Sequence, residues 1–261
     1  MGQPISAELR QVAYRMADAA RRVTLQHFRT PIDVTSKTDG FDPVTIADQD
    51  AEAAMRAILA EARPDDGILG EEAAAVAGTS GLTWVLDPID GTRGFISGTP
   101  TWGVLIALQD GTGPIYGLID QPFIGERFEG DGSGALWSRG ELSRPLSTRR
   151  TATLAEATIL TTFPEVGTPA EGAAFHRVAA QCRLTRYGMD CYGYALLAAG
   201  HVDLVIEAGL QPYDIAAPIA VVQAAGGVLT DWSGAAAHGG GTAIAAATPA
   251  LHTAALELLS G

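Results

Sequence analysis

The chain has 261 residues, 47% of them apolar, enough for one large domain or two halves sharing a core and too apolar for a disordered chain. Its formal net charge of −13 argues against a nucleic-acid backbone or an anionic membrane as the main partner, because both call for a basic surface. The same charge implies that any phosphate the chain handles is met through metal rather than through a bed of arginine and lysine.

Apolar residues at helical spacing, Leu9, Val12, Met16, Ala20 and Val23, predict a helix over residues 7–28. This segment is amphipathic and charged and lacks the apolar stretch of a signal peptide. No run in the chain approaches the ~20 apolar residues of a membrane helix, so a soluble, cytoplasmic protein is expected. Residues 33–40 read as a short strand entering a loop that carries Lys37 and Asp39. The acidic stretch Asp39-Gly40-Phe41-Asp42 is a candidate flap over a site. Residues 45–62 read as a helix with Thr45 as N-cap and Asp48 in its first turn. A turn at 64–67 leads into a short strand ending in Glu71 and Glu72, and 73–83 reads as a small-residue surface loop. Strands are predicted over 100–108, 115–121, 127–129 and 134–138, punctuated by Gly132, Gly134 and Gly140.

Near residues 146–154 the character changes to strands alternating with helices. Strands are predicted at 158–162, 183–187, 202–207, 226–231 and 244–247; helices near 171–182, 192–199, 214–225 and 249–259. The expected class is α/β (α+β), in layers of helices and sheets. Two halves follow, 1–147 with most candidate ligands and 148–261 with Asp214 and the specificity residues. Cys182 and Cys191 make neither a disulfide framework nor a zinc cluster; two reduced thiols are expected, although the spacing leaves a bridge between them open. The five histidines are scattered without metal-ligand spacing.

The run Trp84-Val85-Leu86-Asp87-Pro88-Ile89-Asp90-Gly91-Thr92 carries the chemistry. An apolar strand ends in two aspartates three residues apart, and Gly-Thr then opens a helix. Asp, Pro and Gly are also ordinary turn residues. Two carboxylates held this close repel unless a cation sits between them, and Mg²⁺ prefers hard oxygen ligands shared with substrate phosphate. A helix starting at Gly91-Thr92 would aim backbone N–H groups at that phosphate. Asp214, ahead of the apolar run 215–222, reads equally as an N-cap or as a further ligand.

Gly70-Glu71-Glu72, the 84–92 run and Tyr213-Asp214-Ile215-Ala216-Ala217 resemble the signature set of the inositol monophosphatase family, as do Lys37 with Asp48 and Ala224-Ala225-Gly226-Gly227-Val228. The resemblance spans essentially the whole chain, in order. It implies the family's layered αβαβα sandwich, a homodimer, and hydrolysis of a phosphate monoester with two or three Mg²⁺ ions per site. Glu71, Asp87 and the carbonyl of Ile89 resemble the ligands of the first metal; Asp87, Asp90 and Asp214 resemble those of the second; Glu71 also resembles a ligand of a third. Gly91 and Thr92 would donate backbone N–H groups to phosphate, and Asp48 and Thr92 would orient the attacking water. No protein nucleophile is needed, because metals neutralise the ester and steady the leaving oxygen in an in-line displacement.

Family members acting on inositol phosphates usually read Asp-Gly-Thr-Thr-Asn-Phe where this chain has Asp90-Gly91-Thr92-Arg93-Gly94-Phe95. That variant, with Tyr187-Gly188-Met189-Asp190-Cys191-Tyr192-Gly193-Tyr194, resembles the histidinol-phosphate phosphatase branch. Asp190 would place a carboxylate near the leaving group, and Glu207 falls at the family's position for substrate hydroxyls. An ammonium-bearing substrate suits a pocket with both acids. Hydrolysis of L-histidinol phosphate, in histidine biosynthesis, is therefore the expected activity. An inositol-phosphate, sugar-phosphate or nucleotide phosphatase is the same-class alternative, and a non-catalytic regulatory protein on the same fold the different-class one. Trp102 and Phe95 are expected in the core rather than against substrate.

Overall fold

The computed structural model describes residues 3–36 and 43–261. Helix α1 (Ala7–His27) is capped by the Ser6 side chain, which accepts the N–H of Leu9, and it buries Val12, Ala13, Met16, Ala17 and Ala20 along one stripe. Strands β1 (Thr35–Ser36) and β2 (Pro43–Val44) pair antiparallel. The candidate flap and Lys37 lie between them, outside the described residues. Helix α2 (Ile46–Ala62) opens with a reciprocal capping box between Thr45 and Asp48 and packs beside α1.

A seven-stranded sheet follows in sequence order: β3 (Gly67–Gly70), β4 (Thr83–Asp90), β5 (Gly103–Asp110), β6 (Gly113–Gln121), β7 (Glu126–Asp131), β8 (Gly134–Arg139) and β9 (Leu142–Pro145). A single turn of helix, α3 (Thr92–Ile96), leaves the end of β4. Only β3 and β4 pair in parallel; the other neighbours are antiparallel. Period-two alternation splits the apolar residues between two cores. Trp84, Leu86, Val104, Ile106, Leu108, Tyr116 and Leu118 join the core under α1 and α2, whereas Val85, Leu105, Ala107 and Ile119 face the opposite side. Strand β9 was not predicted: every residue in it is exposed, so no apolar alternation marks it.

The second sheet has five strands, β10 (Thr158–Thr161), β11 (Leu184–Tyr187), β12 (Leu204–Leu210), β13 (Val228–Thr230) and β14 (Gly241–Ala246), in the order β11-β10-β12-β14-β13. The first three run parallel and β14 is antiparallel to both of its neighbours. Helices α4 (Pro169–Ala179) and α7 (Pro249–Ser260) cover one face, sharing a core with Ile159, Leu204, Ile206 and Ile244. Helices α5 (Tyr192–Ala198) and α6 (Pro212–Ala224) fill the space between the two sheets. The layers therefore run helix, sheet, helix, sheet, helix, as expected.

Helix α6 is apolar all round because it is enclosed from both sides: residues 215–222 are all buried. Its approach to the large sheet is close. A Cβ at Gly117 in β6 would run into the Ala217 carbonyl, so only glycine lets the helix lie there. The helix starts at Pro212, two residues before the predicted 214, since proline suits the first helical position. Among the described residues no helix is long and apolar enough to cross a membrane, and Cys182 and Cys191 are both free thiols.

Candidate active site

Strand β4 delivers Asp87 and Asp90. Residues three apart on a regular strand face opposite sides of the sheet. Here the register against β5 shifts between Asp87, opposite Leu105, and Asp90, opposite Gly103. Pro88, which has no N–H for the ladder, sits within this irregularity, and the irregularity brings both carboxylates to one side. The geometry is held locally: Asp87 Oδ1 accepts the Ile89 N–H at 3.0 Å, and the Ile89 carbonyl accepts from the Thr92 hydroxyl at 3.2 Å. Asp90 Oδ2 accepts the Cys191 N–H at 2.6 Å, tying β4 to the second sheet's side of the molecule.

Asp214 enters from the first turn of α6. Its Oδ2 accepts the Gln211 N–H at 2.7 Å, so it caps its own helix, and it also joins the cluster. One carboxylate oxygen from each of Asp87, Asp90 and Asp214 lies within 4.8 Å of the others. Glu71 follows β3, its N–H bonded to the Leu86 carbonyl at 3.2 Å, and its carboxylate interacts with that of Asp87. Burial, then the charges of Glu71, Asp90 and Asp214, push the Asp87 carboxyl well above its usual range. Burial, then Asp214 and Asp190, do the same to Asp90. Acids gathered this way are kept from repelling one another by a shared proton or by positive charge, and their hard oxygens fit a divalent cation.

These groups line a cavity of about 230 Å³, with Glu71, Asp87, Ile89, Asp90, Gly91, Thr92, Asp190, Glu207 and Asp214 in its wall. Asp48 is the exception among the residues singled out from the sequence. It is buried, and its Oδ2 accepts from the Thr45 N–H at 2.8 Å and the Thr45 hydroxyl at 2.6 Å, which gives that oxygen to the start of α2. Gly91 takes φ +86° at the turn into α3. Since α3 has five residues, an anion there would be met by first-turn N–H groups rather than by a long helix dipole.

Residues 6–260 match the inositol monophosphatase family. The chain belongs to this family. It is a phosphatase, an enzyme that hydrolyses phosphate monoesters, of a metal-dependent family. The chain is 44% identical over 225 residues to the "Bifunctional phosphatase IMPL2, chloroplastic" of Arabidopsis thaliana, covering 85% of itself and 64% of that longer protein. It is 35% identical over 227 residues to a histidinol-phosphatase of Chlorobaculum parvum, covering 86% of each. The structure of an inositol monophosphatase from Zymomonas mobilis superposes with a TM-score of 0.87 at 38% identity, over 98% of this chain and 100% of that one.

The far wall of this phosphatase's cavity is acidic too. Asp190 adopts φ +46°, and its Oδ2 accepts the Thr101 hydroxyl at 2.9 Å. Burial raises the Asp190 carboxyl, against the lowering effect of Thr101. Glu207 lies just before a register shift in β12. Its Oε1 accepts the Thr162 N–H at 2.8 Å and hydroxyl at 2.9 Å, and its Oε2 the Thr161 hydroxyl at 3.2 Å. Burial outweighs these bonds and pushes its carboxyl up to about 7.

Several wall and support residues escaped sequence reasoning. Thr101, Thr161 and Thr162 are ordinary threonines until the fold sets an acid beside them. Glu52 in α2 is buried and accepts the N–H groups of Glu72 at 2.7 Å and Ala73 at 3.1 Å, while Arg56 pairs with it at 2.7 Å; together they set the turn that carries Glu71. An acid at i and arginine at i+4 was the available signal. Phe163 is an exposed aromatic in the wall with the Arg93 guanidinium 4.8 Å from its ring centre. The Tyr194 hydroxyl is buried at the same wall and has no hydrogen-bond partner among the described residues. Phe95 and Trp102 pack with Phe28 in the core, as expected.

Proposed function

We propose that the enzyme is a Mg²⁺-dependent histidinol-phosphatase, releasing phosphate and L-histidinol from L-histidinol phosphate. The observation that carries this reading is the pair Asp190 and Glu207, a half-buried acid and a buried one that share one cavity with the Asp87, Asp90 and Asp214 cluster. One acidic group suffices to bond a neutral polyol; two in a small cavity suit a cation. The relatives named histidinol-phosphatase support the reading, and the inositol monophosphatase likeness supports the rival one.

Glu71, Asp87, the Ile89 carbonyl, Asp90 and Asp214 would hold Mg²⁺. When bound, the metal supplies positive charge against the ester's anionic oxygens and the leaving oxygen. The N–H groups of Gly91 and Thr92 would take phosphate oxygens. The Thr92 hydroxyl already donates to the Ile89 carbonyl, so its lone pairs are the ones turned to accept from, and so orient, the attacking water, while Asp48 holds the start of α2 from outside the cavity wall. Asp190 and Glu207 would hold the ammonium side of the leaving group.

Initial rates with Mg²⁺ test this. The kcat/KM for L-histidinol phosphate is expected to exceed that for inositol 1-phosphate by at least about tenfold, the discrimination one well-placed polar contact supplies. Comparable or reversed values would replace the reading with the inositol-phosphate one. The pH profile is a second check. Glu207 gains its negative charge as pH rises through about 7. The ratio of kcat/KM for histidinol phosphate to that for glycerol 2-phosphate should therefore rise over that range, against the opposing loss of imidazolium charge, and Glu207→Gln should remove the rise. A ratio that is flat or falls in the wild-type enzyme would take Glu207 out of the cation contact.

A further inference from the structure

We propose that Gly94 is a specificity-determining position, because its lack of a side chain is what lets the Asp190 carboxylate stand in the cavity wall. The proposal rests on the reading of Asp190 as a contact for the substrate's ammonium group. A glycine inside a helix is destabilising relative to alanine, so one at the centre of α3 calls for a reason. Gly91 has such a reason in its left-handed φ, but Gly94 is not among the positive-φ glycines. Its reason is spatial. A Cβ on Gly94 would stand 3.0 Å from Thr99 Oγ1, 3.1 Å from Asp190 Oδ2 and 3.5 Å from Thr101 Oγ1. The first two separations are tighter than ordinary van der Waals contact, so Thr99 and Asp190 have to give way, whereas the third is ordinary contact.

Asp190 is confined on every side that matters. The same Oδ2 accepts the Thr101 hydroxyl at 2.9 Å. A Cβ at Gly91 would come within 2.6 Å of its Cγ, so the carboxylate already occupies the space above that glycine. Its backbone sits at φ +46°, a region aspartate tolerates at some cost and one that neighbours must enforce. A methyl group at position 94 therefore presses on Asp190 Oδ2 and shifts the carboxylate by a few tenths of an ångström against its bond from Thr101. Gly94 and Thr101 act on specificity only through Asp190; they are positioning residues.

A double-mutant cycle separates this role from a general packing role. The Mg²⁺-saturated wild type, Gly94→Ala, Asp190→Ala and the double variant are assayed on L-histidinol phosphate and on glycerol 2-phosphate. In the wild-type background Gly94→Ala is expected to lower the ratio of the two kcat/KM values about tenfold, chiefly through KM for the amino ester, the size of one charge-assisted bond. In the Asp190→Ala background the same substitution should change that ratio less than about twofold. Thr101→Val, which lies outside α3, should shift the ratio in the same direction and carries the test should Gly94→Ala not fold. Equal losses on both esters, or the same effect of Gly94→Ala in both backgrounds, would overturn the proposal and leave a packing role. A wild-type enzyme with no preference for the amino ester would instead fail the ammonium reading itself, and the proposal with it.

Discussion

Asp90→Asn is expected to abolish phosphate release while leaving the protein folded and, without metal, more stable. Asparagine keeps an oxygen for the Cys191 N–H that Asp90 accepts at 2.6 Å, so the link to α5 survives. It removes a charge from a cluster in which burial, Asp214 and Asp190 already hold the Asp90 carboxyl well above its ordinary range. A raised folded-state carboxyl contributes stability at low pH that is lost as pH rises through its folded value. The variant's advantage should therefore grow toward pH 8. A relief of ~1 kcal/mol moves the thermal midpoint of a protein this size by about 2–4 °C. The rate effect has the opposite sign. A lost ligand removes several kcal/mol of charge stabilisation from the transition state, a fall in kcat of at least ~10³-fold. Near-wild-type kcat in a folded Asp90→Asn protein would refute the ligand assignment.

Removing divalent cations should silence the wild type completely, and Mg²⁺ should restore it and raise the thermal midpoint. An ion that binds the folded state alone, at about 100 times its dissociation constant, adds about 2.7 kcal/mol, or roughly 5–10 °C here. The shift has a clear structural source, since the cation replaces repulsion among Asp87, Asp90 and Asp214, drawn from β4 and α6, with attraction. Asp214→Asn should blunt the shift without loss of the α6 cap, whose Gln211 N–H can still be accepted by the amide oxygen. Differential scanning fluorimetry with and without Mg²⁺ reads this independently of turnover. Activity that survives exhaustive chelation, with an unmoved midpoint, would sink the metal reading.

Legibility in the sequence followed the range of the interactions. Helix α1 and most strands of both sheets were readable because burial on one face leaves a periodic trace, and the Thr45 cap because its partner is three residues away. Strand β9 was invisible because it buries nothing. The Asp87–Asp90 pair was readable as chemistry, but a period-two strand would have separated the two acids; the shifted register at Pro88-Ile89 is what reunites them. Asp48 was readable as a helix start and as a site residue, and the cavity wall does not include it.

Local order along the chain therefore determined which residue types stand at the strand ends and helix starts, and with them the family and its class of reaction. Only the tertiary structure decided that Asp214 meets Asp87 and Asp90, that Thr101 holds Asp190 across 89 positions, and that Thr161 and Thr162 hold Glu207. The physical reason is that hydrophobic periodicity encodes which face of an element is buried, whereas the pairing of polar groups depends on how two sheets close on the helix between them. That closure is set by contacts as local as the missing side chain of Gly117 beneath α6.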